Sequence, residues 1–330
     1  MISVIITTYK RPTNLDRAIK SVLAQTYKDW ELIVVDDNNE DTEYRKETEQ
    51  LMATYIDCSK INYLKHKKNK NGAAARNTGL QFATGEIITF LDDDDYYMPN
   101  RLEILSKLLF ENSEYDCIYS GVAISENGGF LEVRNANKSG NLLIDTLCHD
   151  TCWVTGSNLF FSAKSIKMLG SFDESFVRHQ DTEFMCRFFL NGYKILACSD
   201  YLVVKNQDDR KNDVDVDKQI VTKTHFLNKF KNSIDPKDWN YINYKNYFIV
   251  LWLCIKNRNY KQYRQVKILV EKYRKIDLKT QLKLICRWFY CCIPCSNFAF
   301  MFRRINTKNS MGKNHYEKIN KFIKEMERIE

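Results

Sequence analysis

The run Phe90-Leu91-Asp92-Asp93-Asp94-Asp95 places four carboxylates directly after an apolar, β-like segment, Glu86-Ile87-Ile88-Thr89-Phe90-Leu91. Clustered anions repel, so such a run exists to hold something positive, and oxygen donors of this kind suit hard cations such as Mg²⁺ or Mn²⁺. A strand that delivers acids at its carboxyl end also fits an open α/β sheet, where ligands gather at that edge. A solvated acidic turn is the plainer reading, but it leaves the buried-looking strand in front of it without a purpose.

The neighbouring segments follow the same pattern. Ser3-Val4-Ile5-Ile6-Thr7-Thr8 reads as a buried strand. Pro12 and Thr13 open a helix whose stripe is Leu15, Ala18, Ile19, Val22 and Leu23. Trp30-Glu31-Leu32-Ile33-Val34-Val35 is the next strand and ends at Asp36-Asp37, which implies a parallel pair with a right-handed crossover. A third strand falls at Ile61-Asn62-Tyr63-Leu64. A helix opens at Gly72-Ala73-Ala74-Ala75-Arg76-Asn77 and ends near Gly85, before the strand into the Asp run. The alternation predicts a mostly parallel, doubly wound α/β sheet. Beyond it the pattern predicts a helix after Pro99, short strands near 116–120, 129–134 and 158–161, and a helix over 181–190 closed by Asn191-Gly192.

Charge divides the chain. Residues 211–330 hold 26 Lys and Arg against 11 Asp and Glu, a net of +15, whereas residues 1–210 hold 24 against 31, a net of −7. Ten of the eleven glycines lie at or before Gly192. The reading is a catalytic domain over 1–210 and a basic, aromatic-rich helical region over 211–330, with helical stretches near 218–231, 240–257, 259–274, 278–292 and 314–328. The first residues enter a strand with no charged leader or cleavage site, so the expectation is a cytoplasmic protein whose cysteines are reduced thiols. Cys291, Cys292 and Cys295 lack a second Cys/His pair for a zinc site.

Several chemistries are excluded. There is no G-x-x-x-x-G-K-[ST], and Thr7-Thr8-Tyr9-Lys10-Arg11-Pro12 replaces the G-x-G-x-x-G of a dinucleotide site. Asp92, Asp94 and Glu103 mimic an EF-hand, but Tyr97 stands where that loop needs Gly. Basic helices with interleaved aromatics match no nucleic-acid-binding motif, so no nucleic-acid partner is expected. What remains is a set of strand ends meeting on one edge. A Tyr ring covers a base by stacking, a carboxylate accepts from base or ribose, and a Gly/Ala-rich helix start with an Arg holds phosphates. The Asp run holds the ion that bridges a diphosphate. Together they point to a nucleoside diphosphate ligand.

The chain resembles an inverting glycosyltransferase of family 2, with the GT-A (nucleotide-diphospho-sugar transferase) fold. The resemblance rests on Ser3-Val4-Ile5-Ile6-Thr7-Thr8-Tyr9, Ser21-Val22-Leu23-Ala24-Gln25-Thr26-Tyr27 and Glu31-Leu32-Ile33-Val34-Val35-Asp36-Asp37. It continues through Gly72-Ala73-Ala74-Ala75-Arg76-Asn77, Leu91-Asp92-Asp93-Asp94-Asp95, Gly170-Ser171-Phe172-Asp173-Glu174 and His179-Gln180-Asp181-Thr182-Glu183-Phe184, over about residues 1–205. It implies that Thr7 and Tyr9 line a uridine pocket, that Asp37 contacts the base, and that Gly72 and Arg76 lie near the base or diphosphate. Asp92 and Asp93 would reach the ribose or the metal's waters. Asp94, with Asp92, would ligate Mn²⁺ or Mg²⁺. Asp181 matches the family's general base. From the residues alone, Asp181 reads equally as a helix cap.

Many family members carry a His soon after the strand that follows the base helix. Here Tyr201-Leu202-Val203-Val204-Lys205-Asn206-Gln207 has none, which leaves a third metal ligand open. The Q-x-x-R-W of processive members is absent; Gln281 and Arg287-Trp288 have the wrong spacing. The apolar stretch 284–302 is broken by Arg287, Pro294, Ser296 and Asn297 and does not read as a membrane span. It reads either as an interfacial patch over 279–304 on the inner face of the plasma membrane or as the core of a small helical domain. The leading expectation is a metal-dependent enzyme adding one sugar from a UDP-sugar to a glycan, with a lipid-linked acceptor such as an undecaprenyl-diphosphate glycan, in bacterial surface polysaccharide assembly. The alternatives are a sugar-1-phosphate nucleotidyltransferase, which normally has a Gly-rich loop after its first strand, and an inactive membrane-associated binding module.

Overall fold

The computed structural model describes residues 1–126, 129–207, 215–291 and 313–327. It falls into two compact units. One comprises the described residues of Met1–Leu142, Cys152–Asp209 and Met301–Glu330, and the other those of Leu143–Thr151 and Arg210–Phe300.

The first unit opens with β1 (Ile2–Thr8), α1 (Pro12–Leu23), β2 (Trp30–Asp36), α2 (Glu43–Ala53), β3 (Ile61–Lys65), α3 (Gly72–Phe82) and β4 (Ile87–Asp92). Strands β3, β2, β1 and β4 are parallel neighbours in that order. β1 is buried along almost its whole length, as a strand covered on both faces must be. Helix α1 starts on Pro12 and buries Leu15, Ala18, Ile19 and Val22. Helix α3 is capped by the Asn71 side chain, which accepts from the Ala73 and Ala74 amides. It buries a small-residue face, Ala73, Ala74, Ala75 and Gly79. That face brings the helix onto the sheet so closely that a Cβ on Gly79 would lie 2.4 Å from Ile5 Cγ2.

The chain continues through β5 (Tyr96–Tyr97), α4 (Arg101–Glu111), β6 (Cys117–Glu126) and β7 (Gly129–Arg134). Then come α5 (Leu143–Leu147, in the second unit), β8 (Phe160–Ser162), α6 (Ala163–Leu169), α7 (Gln180–Leu190) and β9 (Ile195–Asn206). The sheet order is β3-β2-β1-β4-β8-β6-β9-β5, with β7 on β6. It is mixed but mostly parallel: β8 runs antiparallel to β4 and β6, and β5 runs antiparallel to β9. The expected strand near 116–120 is longer than its sequence signal, because β6 pairs with β9 almost throughout and with β7 at its far end.

The second unit holds α8 (Val216–Phe230), α9 (Pro236–Lys256), α10 (Tyr260–Glu271) and α11 (Leu278–Cys291) around Phe226, Ile242, Val250, Leu251, Cys254, Val266 and Val270. The last described helix, α12 (Lys313–Glu327), belongs to the first unit, where Tyr316 meets Phe130 and Phe322 meets Tyr96. No helix among the described residues is long and apolar enough to cross a membrane. Residues 292–304, half of the expected interfacial segment 279–304, lie outside the described residues.

Candidate active site

Register brings the predicted residues together. Across the parallel strands Thr7 stands opposite Asp92 on one side and Val35 on the other, and Thr8 stands opposite Asp36. The ends of β1, β2 and β4 therefore share one edge. Asp93 is buried there. Its carboxylate accepts from Thr8 Oγ1 at 2.9 Å, from the Tyr9 amide at 3.2 Å and from Arg11 Nη1 at 2.9 Å. Burial pushes its pKa up to about 6, with Arg11 opposing. The hydroxyl that fastens the acidic turn is thus that of Thr8, next to the expected Thr7. Tyr9 is 40% exposed, with the Lys10 ammonium 4.9 Å from its ring centroid.

The adjacent Asp36 and Asp37 do different work. Asp36 is fully buried and held by Arg45 Nε at 2.8 Å and by the Tyr63 hydroxyl at 2.6 Å. Asp37 organises the loop that precedes α3. Its carboxylate accepts from Asn69 Nδ2 at 2.7 Å and from the Lys70 and Asn71 amides at 2.8 and 3.0 Å. His66 Nδ1 lies 2.7 Å from the same carboxylate.

Asp92, Asp94 and Asp95 form the one group among the described residues that brings one carboxylate oxygen from each of three acids within 4.8 Å of one another. This is an all-oxygen donor set suited to a hard divalent cation. Burial pushes Asp94 above the usual carboxylate range, and the charges of Asp95, Asp92 and Asp93 add to it. Burial also works on Asp92, but Arg76 and Lys205 outweigh it and hold its pKa low. Arg11 is paired with Asp94 as well as with Asp93. No local sequence signal assigns a role to Asp95. It is wholly buried, accepting from Thr155 Oγ1 at 2.9 Å, Ser157 Oγ at 2.7 Å and the Asn206 amide at 3.3 Å. Nothing local in the sequence marks Thr155 or Ser157. The turn that carries them is anchored from below by buried Arg101, which donates to Asn158 Oδ1 and the Ser157 carbonyl, both at 3.3 Å.

Arg76 joins the acidic triad to the start of α7. Its Nη2 donates to Asp92 Oδ1 at 2.6 Å and its Nη1 to Gln180 Oε1 at 2.7 Å. Gly72 permits this, since a Cβ there would meet Gln180 Oε1 at 3.0 Å and Arg76 Nη1 at 3.2 Å. Asp181 follows Gln180 in the first turn of α7; the N-cap position belongs to His179, at φ 63°, and Asp181 Oδ1 accepts from the Thr182 amide at 2.9 Å. A Cβ on Gly156 would lie 3.6 Å from Asp181 Cβ and 4.0 Å from Arg76 Nη2, so base candidate and arginine flank the same glycine. The helix is held in place by aromatic packing. Phe184 stacks on Phe172 at 4.3 Å, and Phe172 meets Phe90 of β4 edge-on at 5.3 Å. Asn77 of α3 bonds both the Phe172 amide and its carbonyl, at 2.7 and 3.0 Å. That explains why the 170–174 segment accompanies the site.

The family model described as Glycosyl transferase family 2 matches residues 3–170, just over half of the 330. The chain belongs to glycosyltransferase family 2. A second model, Glycosyl transferase family group 2, matches residues 87–311. The uncharacterized glycosyltransferase MJ1057 of Methanocaldococcus jannaschii is 30% identical over 238 residues, covering 69% of this chain and 80% of that one. Escherichia coli WfgD, a UDP-Glc:alpha-D-GlcNAc-diphosphoundecaprenol beta-1,3-glucosyltransferase, is 36% identical over 113 residues, 34% of this chain and 42% of its own. The mannosyltransferase PcManGT of Pyrobaculum calidifontis, solved with GDP-Man and Mn²⁺, superposes with a TM-score of 0.55 at 16% identity over 94% of this chain and 87% of that one. That likeness is one of fold, and the fold of this family 2 glycosyltransferase is α/β of the GT-A type.

Proposed function

We propose that this chain is a metal-dependent inverting glycosyltransferase that adds a single sugar from a UDP-sugar to a lipid-linked glycan in bacterial surface polysaccharide assembly. The observation that carries the proposal is the arginine bridge. Arg76 binds Asp92 of the acidic triad and, through Gln180, the turn that presents Asp181. Such a bridge would set donor diphosphate and acceptor base side by side. Asp92, Asp94 and Asp95 would hold Mn²⁺ or Mg²⁺, which when bound supplies positive charge for the diphosphate. Thr7, Tyr9 and Asp37 would bound the nucleoside, with Asp93 keeping Thr8 and Tyr9 in place. Asp181 would take the proton of the acceptor hydroxyl as its oxygen attacks the anomeric carbon. The attack comes from the face opposite the bond to the diphosphate, which breaks with its electron pair leaving on the phosphate oxygen, so the anomeric centre would invert. The uridine donor and the lipid-linked acceptor are supported by the name of WfgD. Peripheral membrane contact is supported by exposed Leu278, Leu282 and Ile285 beside Lys279 and Lys283 on α11.

The test is UDP release from a panel of UDP-sugars with Mn²⁺, with and without EDTA, for the unaltered protein and for Asp181→Asn. One donor should release UDP, EDTA should abolish the release, and the variant should lose about 10²–10⁴-fold of the rate. Release from no donor, together with no thermal shift on adding UDP and Mn²⁺, sinks the reading.

A further inference from the structure

Lys205 stands at the meeting point of the site's charges. Its neighbour Val204 pairs with Tyr96 across β5 and β9, and its other neighbour, Asn206, donates its amide to Asp95. The pairing of a two-residue strand therefore fixes Lys205 at the end of the acidic run. Its ammonium interacts with Asp95, Asp92, Asp94 and Asp181, carboxylates from both sides of the reaction. The ion pairs of Asp92, Asp93 and Asp94 described above go to Arg76 and Arg11. Both arginines are thus engaged, whereas Lys205 reaches the cluster from β9.

We infer that Lys205 is a second cation for the leaving diphosphate, sharing with the divalent ion the negative charge that builds as the sugar departs. This rests on the glycosyltransferase reading. In the transfer step the acceptor oxygen forms its bond to the anomeric carbon, Asp181 receives the hydroxyl proton, and the breaking bond leaves its electron pair on the β-phosphate. Lys205 meets that charge by electrostatic contact and gives up no proton. A fixed ammonium beside Asp92, Asp94 and Asp95 also repels a divalent ion from the same carboxylates. Its removal therefore acts with opposite signs: metal binding tightens while turnover falls. A lysine that only supported the fold would loosen metal binding, and one that only balanced charge would leave turnover unchanged.

The experiment compares the full chain with Lys205→Met and Lys205→Arg. Mn²⁺ binding is measured by calorimetry without donor, UDP binding by calorimetry at saturating Mn²⁺, and kcat and KM by UDP release. Lys205→Met should bind Mn²⁺ about tenfold more tightly, bind UDP about tenfold more weakly, and lose about 10²–10³-fold in kcat. Lys205→Arg should keep near-original Mn²⁺ affinity and recover most of the rate. An unchanged kcat, or Mn²⁺ binding that is unchanged or weaker in Lys205→Met, overturns the inference. If the unaltered protein releases no UDP from any donor, the activity reading fails separately. UDP calorimetry then decides for Lys205, and equal affinity in the Met variant overturns it.

Discussion

Ser157 Oγ donates to Asp95 Oδ2 at 2.7 Å although 62 residues separate the two in the chain. The same oxygen of Ser157 accepts the Asp92 amide at 3.0 Å. One hydroxyl thus fixes both the backbone and a carboxylate of the acidic triad. Ser157→Ala would leave a buried carboxylate short of a donor and the Asp92 amide without its acceptor. A loss of about 1–3 kcal/mol in stability is expected, with weaker Mn²⁺ binding. Urea unfolding and Mn²⁺ calorimetry check the two consequences, and a variant as stable and as tight as the original would remove Ser157 from the site.

Helix α3 carries Arg76 and depends on Gly79 for its depth. A methyl group at this position meets Ile5 Cγ2 at 2.4 Å, in the middle of the central strand. Gly79→Ala should therefore destabilise the protein by about 1–3 kcal/mol through overpacking, against the roughly 1 kcal/mol that alanine gains in helix propensity. Ile5→Ala in the same chain removes both γ carbons that the new methyl meets, so the double variant should lose less than the sum of the two single ones. Additive losses in denaturant unfolding would contradict the contact.

The contrast between these residues shows what the sequence makes legible. β1, α1, β2 and the Asp92–Asp95 run announce themselves because period, apolar content and strand ends are local signals, and the parallel direction of β1 to β4 follows from their alternation with helices. Asp36 and Asp37 look alike in the sequence. Only the partners brought up from Arg45, Tyr63 and the 66–71 loop give one a place in the core and the other a loop to organise. The role of Asp95 was hidden for the same reason, since Thr155, Ser157 and Asn206 arrive from distant elements. The two-residue β5 is too short to leave a periodic signal, yet it aligns Lys205 with the acids.

The second unit offers a separate test of membrane contact. Leu278, Leu282 and Ile285 recur at helical spacing on α11 and are 72%, 54% and 51% exposed. Leu278 and Leu282, with Lys279 and Lys283, help to line a cavity of about 1050 Å³ beside Phe248 and Trp252. An apolar stripe edged by lysines matches an anionic bilayer surface. Leu282→Glu with Ile285→Glu should abolish most flotation with phosphatidylglycerol vesicles while UDP binding at saturating Mn²⁺ is retained. Undiminished flotation would place the contact elsewhere.

Lys223 on α8 gives the fold a pH dependence of known sign. It is 3% exposed, and burial pulls its pKa down to about 7. In the unfolded chain it titrates near 10.4, so between these values the unfolded state binds more protons than the native one and stability rises with pH. The contribution is absent below about pH 7 and complete above about pH 10.5. From pH 7 to pH 9.5 the stability of the unaltered protein relative to Lys223→Met should therefore rise by about 3 kcal/mol. Taking the difference between the two proteins cancels the titration of the acidic cluster, which is common to both. Urea unfolding at the two pH values measures it, and parallel pH profiles for the two proteins would show that the ammonium reaches solvent in the folded state.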